Sequence, residues 1–285
     1  MSEHDSGDGD VAAGIGRASR SPWWWLALVV VAAIAVGVTH PWVSDRPGPE
    51  TALASGTAAI ASPASPSPAH TRTAAPRPVR AAVFDQSTLA LLFATPADLA
   101  ASVPAADAGM SAGITSGQVS WGLPTGSTVE PAGCTIASTV VDAPPTGFDE
   151  RSWWNATLDF EQHVTLLPDV ASADAAFRGL VTSVDACPSY VVISPDAAPT
   201  TISAAPATEA QGVFPSLAQS TESTSGGQVV PQLHGHVLVG NAIITWTASA
   251  RTSDGSAPDR TGLGTQTELD AMFQRVALRA VTSLR

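Results

Sequence analysis

The run Trp23 to Val43, WWWLALVVVAAIAVGVTHPWV, constrains the chain more than any other stretch. Its first sixteen residues, Trp23 to Val38, carry no charge, and no face of Leu26 to Val38 is polar. At a rise of about 1.5 Å per residue they cover roughly 24 Å, and continuing through Thr39, His40 and Pro41 to Trp42 approaches the ~30 Å of a hydrocarbon core. Indoles stand at both ends, where interfacial aromatics belong. A membrane-spanning helix is therefore expected. The rival is a cleaved export signal with Arg17 and Arg20 as its basic region. It lacks a small-x-small cleavage site, since His40, Pro41 and Trp42 stand where one is needed. No cysteine precedes Cys134, which excludes a lipid-modified cysteine anchor here. Arg17 and Arg20 flank the N-terminal end, and only Arg46 lies close beyond the other, so the bias in basic charge places the N-terminus in the cytoplasm.

The expected organisation follows: a cytoplasmic tail over residues 1–22, an anchor over 23–43, a linker over 44–80 and an extracytoplasmic domain over 81–285. The linker is rich in Ala, Pro, Ser and Thr and has no periodic apolar face. Such a composition cannot bury enough surface to offset the entropy of ordering, so a disordered tether is expected. Residues 1–80 hold six acids and six arginines, and the remainder holds 19 acids against seven arginines, so the whole net charge of -12 belongs to the domain. That charge argues against nucleic acid as a partner. The only two cysteines, Cys134 and Cys187, both lie in the domain, and an even count outside the cytoplasm predicts a disulfide.

Within the domain, an apolar cluster at Leu89, Leu92 and Phe93 precedes Thr95, a helix cap supported by Pro96 and Asp98. Two short helical pieces are expected over Ser87 to Val103, and a strand near Val119 and Trp121. Trp153 to Leu166 alternates as one strand, with Asn155, Thr157, Asp159, Glu161 and His163 on one face and Trp154, Leu158, Phe160 and Val164 on the other. A helix opening near Ser172 carries Phe177, Leu180, Val181 and Val184 and ends at Cys187. Tyr190 to Ile193 and Thr200 to Ser203 read as short strands, and Thr208 to Gln228 reads as a long loop. Gly240-Asn241 between His234–Val239 and Ala242–Ala248 is a hairpin turn. A capping box at Thr265 and Glu268 opens the last helix, whose apolar stripe runs from Leu269 to Leu284. The expected class is α+β: one domain with a twisted, mainly antiparallel sheet and flanking helices.

The order of these pieces resembles the PknH-like extracellular domain family, the sensor-like domain of mycobacterial receptor kinases. The matching features are LALLFATPADLAA at Leu89 to Ala101, Gly133-Cys134, ASADAAFRGLVTSVDAC at Ala171 to Cys187, VGNAIITW at Val239 to Trp246, and the closing helix. The resemblance covers about 200 residues. It implies a single domain with a ligand-binding cleft in an actinobacterial envelope, facing an unidentified envelope ligand or protein partner. Two departures limit the transfer. Family members commonly carry a second disulfide, which two cysteines cannot form, and the 22 residues ahead of the anchor hold no kinase.

Candidate chemistry is sparse. His234 and His236 share one strand face at a spacing that admits a metal if a third ligand approaches; His163 or Glu161 could supply it, but nothing in the sequence brings them together, so no metal and no cofactor is expected. Asp159, Glu161 and His163 could bind a ligand or a cation. They could also do acid-base work, the alternative being an envelope hydrolase using His163 with Asp159 or Glu161. The chain has no nucleophile elbow, HExxH, P-loop or dinucleotide fingerprint, and no catalytic residue is assigned. Asn155-Ala156-Thr157 fits the glycosylation pattern. The expectation is a membrane-anchored, non-catalytic, sensor-like or ligand-binding domain.

Overall fold

The computed structural model describes residues 81–251 and 258–284. The expected tail, anchor and tether lie outside the described residues. Among the described residues no helix is long and apolar enough to cross a membrane.

Ten strands, all antiparallel to their neighbours, form one sheet: β1 (Ser111–Ala112), β2 (Thr128–Glu130), β3 (Gly147–Trp154), β4 (Leu158–Leu166), β5 (Ser189–Ile193), β6 (Thr200–Ala204), β7 (Thr208–Gln211), β8 (Pro215–Ser225), β9 (Gln228–Val239) and β10 (Ala242–Ala250). Their order is β1-β3-β4-β10-β9-β8-β6-β5-β2, and β7 pairs with the part of β8 that β6 leaves free. The helices are α1 (Pro96–Ala100), α2 (Thr135–Thr139), α3 (Val170–Ala186) and α4 (Gln266–Ser283).

One sheet face carries the main core. Phe160 on β4, Trp246 on β10 and Val237 on β9 meet Leu269, Met272, Phe273 and Val276 of α4. Phe273 stacks on Trp246 at 5.8 Å between ring centroids and on Phe160 at 6.3 Å, so the stripe predicted for this helix is its buried face. Both reciprocal hydrogen bonds of the Thr265–Glu268 capping box form, as do those of Thr95 and Asp98 at α1. The only core-facing polar residue of β4 is fully buried Gln162. Its amide accepts from Ala94 N–H at 2.8 Å and donates to the Leu92 carbonyl at 2.8 Å, which fixes the segment ahead of α1 to the sheet.

The opposite face is apolar near the β9–β10 turn. There α3 lays Ala173, Phe177, Leu180 and Val184 over Leu217, Leu238 and Ile243. Its C-terminal end is joined to α2 by the predicted Cys134–Cys187 disulfide.

Four expectations are corrected. Trp153 to Leu166 is a hairpin rather than one strand: the chain turns at Asn155–Thr157, where the Asn155 side-chain oxygen accepts from Thr157 N–H and Leu158 N–H, both at 2.9 Å. This turn lacks glycine, and it places Trp154 opposite Asp159 rather than beside Phe160. No strand forms at Val119 or Trp121; the Trp121 indole donates to the Thr139 carbonyl at 3.1 Å and anchors an irregular segment. The helix starts before Ser172, at Val170, with Asp169 as its cap. Finally, Thr208 to Gln228 contains β7 and β8. Its Ser and Thr residues obscured a strand held by backbone bonds to β9 on one side and to β6 and β7 on the other.

Candidate functional site

Strand register gathers the polar residues of the second face into rows. Thr245 on β10 pairs with His163 on β4 and with His236 on β9, and Glu150 on β3 pairs with His163. In the next row Thr247 pairs with Glu161 and with His234. Ser249 then lies between Asp159 and Gln232. Residues two apart share a face in every strand, so the two groups singled out in the sequence, Asp159-Glu161-His163 and His234-His236, occupy one surface. Their separation along the chain hid this. In the sequence Thr245 and Thr247 carry only a hairpin signal, and Glu150 precedes the strand pattern that starts at Trp153.

The two β9 histidines are ordered by hydrogen bonds. His234 Nδ1 lies 2.8 Å from the Thr247 hydroxyl, His236 Nδ1 lies 2.9 Å from the Thr245 hydroxyl, and the two Nε2 atoms are 3.0 Å apart. Burial holds His234 down to about 4, helped by nearby His163, and holds His236 well below the usual imidazole value, helped by His234 and His163. Burial likewise lowers His163 to about 4. All three rings are thus neutral at neutral pH.

Burial pushes the Glu150 carboxyl up to about 7, with Glu161 and Asp149 adding to the rise. Partial desolvation on the crowded sheet face also raises Glu161, seconded by Asp159, although the residue as a whole is exposed. His163 Nε2 stands 3.5 Å from Glu150 Oε2, the separation of a weak ion pair. The two shifts run opposite to those of an ion pair, and the distance exceeds that of a good hydrogen bond. Desolvation governs both groups, and the contact is a neutral imidazole beside a carboxyl that titrates near neutrality. Asp159 is engaged elsewhere, 3.2 Å from Arg251, whose guanidinium also covers the Trp154 ring at 4.9 Å from its centroid. The carboxyl against His163 is therefore that of Glu150, not of Asp159. Among the described residues no group of three or more His, Cys, Asp or Glu side chains is placed to hold a metal ion. The Asn155 amide donates to the carbonyls of Ala105 at 2.7 Å and Gly109 at 3.1 Å, so the glycosylation pattern sits on a side chain already used in a turn.

A second feature, not visible in the sequence, is a groove of about 600 Å³ alongside α3. Phe177 and Val181 of α3 with Pro215 and Leu238 of the sheet supply its apolar surface, and Asp174, Arg178, Thr182 and Glu209 supply polar groups. A smaller cavity of about 100 Å³ shares Asp174, Pro215 and Leu238 with it. A further depression of about 470 Å³ includes Ile136, Val141, Leu167 and Ala176. Sequence periodicity marked Phe177 and Val181 as core. It could not show that Glu209 of β7 and Pro215 of β8 come alongside them to line a groove.

No family model and no curated protein matches the chain. The putative uncharacterized protein (Rv0999 ortholog) from Mycobacterium smegmatis is a structural neighbour at 16% identity and a TM-score of 0.34, over 60% of this chain and 85% of that one. The chain is similar in structure to the extracellular domain of PknH from Mycobacterium tuberculosis, at 13% identity and a TM-score of 0.48, over 71% of this chain and 97% of that one.

Proposed function

We propose that residues 81–285 are the extracytoplasmic, ligand-binding part of a single-pass envelope protein, sensor-like and non-catalytic, carried on the linker 44–80 and anchored by residues 23–43. The observation that carries this reading is the α3 groove. Its volume of about 600 Å³ falls within the ~300–1,000 Å³ of ordinary small-molecule sites. It joins an apolar floor to a few charged groups, the usual lining of a site that binds and orients a ligand. A disulfide between Cys134 and Cys187 suits an oxidising compartment. The apolar anchor supports membrane attachment, with its basic flank facing the cytoplasm.

The test is retention of an envelope molecule. The full chain in detergent is incubated with an organic extract of its host's envelope and examined by native mass spectrometry. A discrete added mass is expected on the wild type and is lost in Val181→Trp, which fills the groove from the helix side. Retention by both proteins, or by neither, overturns the groove reading.

A further inference from the structure

The histidine rows hold an arrangement that the ligand-binding reading does not use. His234 and His236 approach each other through Nε2 atoms 3.0 Å apart, with rings edge to face at 86°. Two facing imidazole nitrogens at this distance share a single proton or a single cation. For metal–nitrogen bonds of about 2.0–2.1 Å, a 3.0 Å separation subtends roughly 95° at the ion. Opening to a tetrahedral angle needs a nitrogen–nitrogen distance of about 3.3–3.4 Å, a shift of a few tenths of an ångström.

Both outer nitrogens are already held. Thr247 and Thr245, projecting from β10, fix the two Nδ1 atoms at 2.8 and 2.9 Å. A hydrogen bond at the outer nitrogen fixes the ring orientation of a metal-bound histidine, and here a hydroxyl stands where a carboxylate or carbonyl is usual. On the flanking strand, His163 is in register with His236 through Thr245, and Glu161 is in register with His234 through Thr247. Two strand spacings, about 9.6 Å between Cα atoms, separate each pair, and the side chains share one face. The Glu150 side chain is 10% exposed, lies against His163, and makes no hydrogen bond from its carboxyl among the described residues. A buried carboxyl without a donor favours a nearby cation.

We propose that His234 and His236 chelate a divalent transition-metal ion of the zinc class, with His163 turning in as third ligand and Glu150 and Glu161 supplying compensating negative charge. Imidazole donors select such ions over magnesium or calcium. No three donors stand in ligand positions among the described residues. Binding therefore includes a side-chain rotation of His163 away from Glu150. The site shares no residue with the α3 groove, so the two readings fail independently.

The test is titration of the untagged full chain with Zn2+ by calorimetry, and with Co2+ by visible absorption. One ion per chain is expected, with micromolar or tighter affinity and a ligand field containing nitrogen. His234→Ala with His236→Ala weakens binding at least about a hundredfold, and His163→Gln about tenfold. Thr245→Val or Thr247→Val weakens it about tenfold while keeping every imidazole, the loss usual for partners that orient metal ligands. The threonine variants decide the matter if the alanine pair does not fold. No stoichiometric binding by the wild type, unchanged affinity in the double histidine variant, or threonine variants that bind like wild type would each overturn the proposal.

Discussion

Gly235 lies directly opposite Trp246 in the β9–β10 pair, and the indole occupies the space in which a side chain at Gly235 would stand. An added Cβ would come within 2.7 Å of Trp246 Cε2 and 2.9 Å of the Leu217 carbonyl oxygen. The glycine between the two histidines is thus required by the core on the other face of the sheet. Gly235→Ala is expected to destabilise the fold by about 1–3 kcal/mol, the usual cost of overpacking. Trp246→Phe in the same chain should recover part of that loss, because the buried indole N–H has no hydrogen-bond partner among the described residues. Urea unfolding of the two single variants and the double variant measures the coupling.

A second prediction concerns the Gly240-Asn241 turn. The Asn241 amide accepts from Phe84 N–H at 2.7 Å and donates to the carbonyls of Phe84 at 3.0 Å and Leu167 at 2.9 Å. One side chain thereby ties the segment entering the domain to the hairpin that carries the histidines. Asn241→Ala leaves all three backbone groups without that partner and should cost about 2–4 kcal/mol, since buried polar groups are expensive to strand. Hydrogen exchange at Phe84 should accelerate more than exchange in α4. Equal acceleration in both would mean that the turn does not hold the entering segment.

How much of this was legible beforehand depended on whether a signal was local. Helix caps are set within four residues, so Thr95–Asp98 and Thr265–Glu268 could be read directly, and Gly240-Asn241 announced its hairpin through turn chemistry. The Asn155–Thr157 turn has no glycine or proline, and alternation runs through it almost unbroken, so two strands looked like one. β8 gives no strand signal because Gln219, Thr221 and Ser223 are polar where an ordinary inner strand is apolar. The site needed information of a third kind. Glu150, His163, Thr245 and His236 are neighbours through strand register across three pairings, and no spacing along the chain encodes that row. The groove depends on Glu209 of β7 and Pro215 of β8 meeting α3, which is equally non-local.

Acid titration tests the bond between the first and last helices. Burial tends to raise the Asp98 carboxyl, but Arg279, donating to both oxygens at 2.9 Å, and Thr95 together overcome it and hold the group at about 2. The folded value lies below the ordinary 3.8, so this contribution is fully present above about pH 4 and is lost as the pH falls towards 2. The pair is partly exposed, which limits its worth to about 1 kcal/mol. Arg279→Ala should lower stability by that amount at neutral pH and should differ little from wild type near pH 2. A difference that persists unchanged to pH 2 would assign the effect of Arg279 to packing instead.

The disulfide yields a prediction about both stability and compartment. Cys134 and Cys187 are 53 residues apart and sit in a small cluster with Val129 and Ala137, apart from the main core. Closing a loop of that length in the unfolded chain is worth up to about 4 kcal/mol in the entropy model. The residues around it, α2, β2 and β5, hold only short strands and few buried side chains, so the loss should be local before it is global. Cys134→Ser with Cys187→Ser should therefore speed hydrogen exchange in Val129 and Val192 well before it does so in Phe273 of α4. In intact cells, the wild-type thiols should resist maleimide labelling until a reductant is added. Labelling without reductant would place the domain in a reducing compartment and would contradict the outward orientation inferred from Arg17 and Arg20.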